Sequence, residues 1–160
     1  MFSNQCIHHI DQAVFALGTP KKVRCDIWTQ THDIEAEDLG TAVWLYENGA
    51  AFTIQATSSY PQKTWFYQFE ITGDQGAYFE ASGGPFAAPM AKWFRDGAWS
   101  DEAPLRASVE WANSADNMAA AIRSGAPLLC DGEEGRRSRL TLDAMYRSAR
   151  EAGGGWVDVE

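Results

Sequence analysis

"LGTAVWLYENGAAFTIQATSSY", residues 39–60, is a pair of β-rich runs joined by Asn48-Gly49. Asn-Gly accepts the positive φ angles of a tight turn, so the two runs read as adjacent antiparallel strands. Val43 and Leu45 alternate with Trp44 and Tyr46, and the two-residue period of a strand places the two sets on opposite faces. Immediately downstream, "TWFYQFEITGDQGAYFEAS" (64–82) repeats the pattern around "GDQG". There Trp65, Tyr67, Phe69 and Ile71 share one face, with Phe66, Gln68 and Glu70 on the other. Upstream, "KKVRCDIWTQT" (21–31) alternates as a strand from about Lys22 to Thr31.

The ends of the chain change period. Ile7, Ile10, Val14 and Leu17 recur at helical spacing within residues 4–18. Ser3 or Asn4 can cap that helix, and Gly18 followed by Pro20 ends it. Two more helices are expected, from about Leu105 to Ser124 and from about Glu134 to Ala152. Trp111, Ala115, Met118 and Ile122 share one face of the first. Gly153–Gly155 stop the second, and "WVDVE" closes the chain as a strand. The prolines and glycines of "GGPFAAPMAKWFRDGAWSDEAP" (83–104) suggest a long loop. The resulting order is α, β, two hairpins, two helices, β. It predicts one α/β (α+β) domain over 1–160, with an open, mostly antiparallel mixed sheet and helices packed on one face. Large side chains on both strand faces imply that a second copy covers the helix-free face, giving a homo-oligomer.

Composition excludes more than it identifies. The chain has 160 residues, 45% of them apolar, enough for a buried core. Thirteen basic against 22 acidic residues give a net charge of −9, which repels nucleic acid. No apolar run is long enough to span a membrane, and no leader pattern opens the chain. Cys6, Cys25 and Cys130 contain no C-x-x-C pair. They are expected to be small core residues of a reduced, cytoplasmic protein rather than zinc ligands or a redox pair. Neither G-x-G-x-x-G after a strand, nor a P-loop, nor a G-x-S-x-G elbow occurs.

Chemistry concentrates on the first helix. At 100° per residue, Asn4, His8 and Asp11 fall within an arc of about 60°, and His9 points elsewhere. A histidine moves protons near neutral pH, and a carboxylate one turn on can orient its ring. The same spacing also fits an ordinary helix pair with Asn4 as N-cap, so both readings stand. His8 and His9 diverge too far to share a metal ion. Asp33, Glu35, Glu37 and Asp38 read as a solvated connecting loop.

The same segments carry a family resemblance. "NQCIHHIDQAVFALGTPKKV" (4–23) resembles the [N/D]-x-x-x-H-x-x-D helix and following G-x-P-x-x-V that open the C-terminal domain of the Gfo/Idh/MocA oxidoreductases. "EDLGTAVWLYENGAAFTIQATSS" (37–59) resembles that family's ED…F-x-N-G-A hairpin, and "FEITGDQGAYFE" (69–80) its I-x-G-x-x-G turn. Residues 117–160 resemble its closing helices and strand. The resemblance implies the substrate-binding and oligomerisation half of an NAD(P)-dependent dehydrogenase acting on a sugar, a cyclitol or a similar hydroxylated small molecule. NAD or NADP would bind a Rossmann domain that this chain lacks, leaving the chain inactive by itself. His8 would take part in proton transfer at the substrate hydroxyl, beside a lysine of the other domain. Asn4 stands where many members carry Asp, and is implied, with Asp11 and Trp65, to contact or frame the substrate. Two other functions remain open: a free-standing, non-catalytic dimerisation or polyol-binding module, and an unrelated α+β ligand-binding fold.

Overall fold

The computed structural model describes residues 1–61, 65–86, 88–101 and 111–160. It divides into two compact units, Met1–Ser59 with Asn113–Glu160, and Tyr60–Ala112. The α/β class, with open antiparallel sheets and helices, is as expected, but the strands are shared between two four-stranded sheets.

In the first unit the order across the sheet is β3-β2-β1-β8, from Ala51–Thr57, Leu39–Leu45, Lys22–Trp28 and Val157–Asp158. All its pairings are antiparallel. The Asn48-Gly49 turn forms as the sequence requires: Gly49 sits at φ 85°, and the Asn48 side-chain oxygen accepts from the Ala50 N–H at 3.0 Å. Register places Val23, Cys25, Ala42, Trp44 and Ile54 on one face, all buried. Helices α1 (Ile7–Leu17) and α3 (Gly132–Arg150) pack against each other, and α3 packs on β1. Ile10, Ala13 and Val14 are the buried side of α1, and Leu142, Ala144 and Met145 that of α3. Trp44 and Phe2 are fully enclosed. Asp131 caps α3, its carboxylate accepting from the Glu133 and Glu134 N–H groups at 2.9 and 3.0 Å.

Helix α1 begins at Ile7, later than the sequence suggests. Its N-cap is Cys6, which makes no side-chain capping bond. The Met1 carbonyl instead accepts from Asn4, Gln5 and Cys6 N–H groups, forming a turn ahead of the helix. Asn4 therefore stands outside the helical arc inferred for it. Helix α2 runs over Ser114–Ser124, and the earlier part of the expected helix, 105–110, lies outside the described residues. Met118 and Ile122 are 50% and 77% exposed, so its apolar side is not a core face. Its buried residue is Asn117, whose side chain donates to the Pro127 carbonyl and accepts from the Leu129 N–H, both at 2.9 Å.

The second unit holds the sheet β4-β5-β6-β7: Phe66–Gly73, Gly76–Gly83, Met90–Arg95 and Ala98–Ser100. The β4–β5 hairpin turns at Asp74-Gln75 as expected. The segment expected to be a loop instead supplies β6 and β7. Asp96 and Gly97 both have positive φ, 52° and 80°, and alternating residues flank them. Asp-Gly is a hairpin turn on the same physical grounds as Asn-Gly, and here it outweighs the prolines and glycines around it.

Candidate functional site

A cleft of about 350 Å³ lies between α1 and α3. Ser3, Ile7, His8 and Asp11 form one wall, and Gly135, Ser138, Arg139 and Leu142 the other. One turn of α1 separates His8 from Asp11, so both reach the same opening, and His8 is exposed there. The Asp11 carboxylate accepts a hydrogen bond from the buried Ser138 hydroxyl at 2.5 Å. Asp11 is thus fastened to α3, across a sequence separation of 127 residues. Its first duty is to fix α1 against α3, which sets where His8 stands.

Asn4 is not among the cleft's lining residues. Trp65 belongs to the second unit, 66% exposed just before β4, with its ring stacked on Tyr67 at 5.1 Å. The structure therefore brings two of the four expected site residues, His8 and Asp11, into one cavity. Cys6 and Cys25 are buried, as small core residues should be, and burial pushes their thiols up to about 11 and about 12. Cys130 is exposed and does not serve the core. Among the described residues no three His, Cys, Asp or Glu side chains converge as metal ligands. No helix there is long and apolar enough to cross a membrane.

Sequence reasoning misplaced two acidic residues. Glu37 and Asp38 are buried rather than solvated, 4% and 0% exposed. Glu37 Oε1 accepts from the Phe2 N–H at 2.8 Å, the Met1 amino group at 2.9 Å and the Tyr146 hydroxyl at 2.7 Å. Burial alone would raise this carboxyl, but those hydrogen bonds outweigh it and bring it down to about 2. Glu37 thereby holds the turn that carries Ser3 into the cleft wall and leads into α1. Asp38 accepts from the N–H groups of Gln30, Thr31 and His32 at 2.7–2.9 Å, and these bonds hold it well below the usual carboxylate range. The signal was the adjacency of Glu37 and Asp38 at the start of β2, where charged side chains can serve backbone donors.

Comparison with known proteins adds the frame. Residues 1–79 match a family model, and solved structures align with 95–99% of the chain. The chain matches the GFO/IDH/MocA C-terminal domain family. The WlbA dehydrogenase of Bordetella pertussis, solved with NADH and UDP-GlcNAcA, superposes with a TM-score of 0.78 at 28% identity, covering 99% of this chain and 45% of that one. The WlbA dehydrogenase of Chromobacterium violaceum, solved with the same two molecules, gives 0.79 at 24%, over 99% and 46%. An Agrobacterium radiobacter oxidoreductase solved with NAD+, L-tartaric acid and magnesium gives 0.79 at 19%, over 99% and 49%. No curated protein matches. The chain spans about half the length of these solved structures, and corresponds to the C-terminal domain of NAD(P)-dependent oxidoreductases. Every strand pairing among its described residues is antiparallel. A dinucleotide fold needs parallel βαβ crossovers with a glycine-rich turn into a helix. These residues do not fit a nicotinamide cofactor.

Proposed function

We propose that this GFO/IDH/MocA C-terminal domain is the substrate-binding and assembly half of an NAD(P)-dependent dehydrogenase for a sugar-like, hydroxylated small molecule. The observation that carries the reading is the shared cleft of His8 and Asp11, with Asp11 anchored to Ser138 so that His8 is held at the opening. His8 accepts the proton of the substrate hydroxyl as that carbon is oxidised, which suits a group whose ordinary pKa is about 6.5. The two-electron acceptor belongs to the other half of the enzyme. UDP-GlcNAcA and L-tartaric acid, held by two of the structural relatives, are both polyhydroxylated, in keeping with this class.

In the complete enzyme, His8→Ala is expected to lower kcat about 10²–10⁴-fold, the usual worth of general acid–base catalysis. Turnover within about threefold of the wild type would end the proton-transfer role. The assembly part of the reading rests on the sheet face away from α1 and α3, where Trp28 is 42% exposed and Val43 and Leu45 are half-buried. A second copy covers that face, so light scattering of the concentrated chain is expected to show a dimer or larger. A monomer at every concentration would refute it.

A further inference from the structure

The cleft beside His8 contains a permanent cation, Arg139, with half of its hydrogen-bonding capacity in use. Its Nε donates to Asp143 Oδ2 at 3.1 Å, and its Nη2 lies 2.8 Å from Asp143 Oδ1. This side-on fork occupies one edge of the guanidinium and fixes its plane. The other edge, formed by Nη1 and the outer hydrogen of Nη2, keeps its donors. The side chain is 67% exposed, so that edge opens to solvent rather than to packed protein. There is room beside it: a Cβ at Gly135, one turn earlier on α3, would meet nothing within 4 Å. The cleft's own carboxylate, Asp11, does not compete for Arg139, because Ser138 already donates to it.

We propose that the cleft takes a polyhydroxylated carboxylic acid, with its carboxylate on the free edge of Arg139 and its reacting hydroxyl at His8. The inference rests on the reading of His8 given above and narrows its substrate class. A guanidinium edge matches a carboxylate with two parallel, charge-assisted hydrogen bonds, which no neutral sugar hydroxyl can supply. A monoanionic carboxylate also suits the local charge better than a phosphate does. Asp143 offsets much of the arginine's charge, Asp11 adds a negative one, and the chain as a whole carries −9. A dianion would need more than one half-used cation.

The test is an NMR titration of the His8 ring signals in the 160-residue chain with glucuronate, glucose and glucose 6-phosphate. Glucuronate is expected to shift His8 at about a tenfold lower concentration than either competitor, a factor worth about 1.4 kcal/mol. Arg139→Gln should bring glucuronate down to the level of glucose. Arg139→Lys should recover part of the preference, since an ammonium keeps the charge but not the fork. An equal response to glucuronate and glucose, a preference for the phosphate, or a preference that survives Arg139→Gln would each overturn the carboxylate assignment and leave the His8 site standing. No response of His8 to any of the three would overturn the site reading itself, and this inference with it.

Discussion

In the unit formed by Met1–Ser59 and Asn113–Glu160, side chains fasten helix to sheet and helix to helix across most of the chain. Tyr146 donates to Glu37 over a separation of 109 residues, Cys25 N–H to Ser148 Oγ over 123, and Ser138 to Asp11 over 127. In the unit Tyr60–Ala112 the described strands pair with their sequence neighbours, β4 with β5, β5 with β6 and β6 with β7. Both units use glycine-bearing hairpin turns, but the first cannot close until the two ends of the chain meet. Closing so long a loop costs entropy before any contact repays it, whereas each hairpin of the second needs only a short one. The candidate site lies where the first unit closes, on α1 and α3. Its geometry therefore depends on contacts that no local stretch of sequence contains.

The largest effect is expected from Glu37→Gln, which weakens a buried acceptor of three donors. At about pH 7 it should destabilise the chain by about 2 kcal/mol, measured by urea denaturation. The sign of its pH dependence follows from a carboxyl lowered in the folded state from 4.5 to about 2. Such a group contributes stability above its unfolded pKa and loses it as pH falls toward the folded value. The gap between wild type and Glu37→Gln should therefore shrink between about pH 5 and about pH 2. A gap of constant size over that window would mean the charge is not what stabilises. Hydrogen exchange sharpens the comparison, because the lost protection should fall on β1 and α3. An equal loss across β4–β7 would break the distinction between the two units.

What the sequence made legible is what turn chemistry and periodicity encode locally. Asn48-Gly49 and "GDQG" placed two hairpins, and Gly18 closed α1 as read, its φ of 82° being one that glycine accepts freely. The β6–β7 hairpin was equally local and was passed over because Pro85, Pro89 and the paired glycines drew more weight than Asp96-Gly97. Other misses had a different cause. Glu37 looks like a loop residue beside Asp33 and Glu35 because its partners, Phe2 and Tyr146, stand far away in the chain. Asn4 was placed with His8 by assuming that the helix reached it, but a turn held by the Met1 carbonyl intervenes. His8 and Asp11 were legible because both lie on one short helix. Ser138, which gives Asp11 its orientation, was not, since nothing near residue 138 announces a partner at residue 11.

A smaller effect tests whether that last tie acts as one interaction. Ser138 is 4% exposed, and its hydroxyl donates to a carboxylate on another helix, a charge-assisted bond between α1 and α3. Ser138→Ala and Asp11→Ala should each cost about 1 kcal/mol, and the double variant little more than either alone. The cycle then returns a coupling of about 1 kcal/mol, which is the worth of the tie. Costs that simply add would show that the two side chains stabilise their helices separately. Asp11 would then be free to turn toward His8, and the orienting carboxylate expected from the helical spacing would regain its place over the structural anchor.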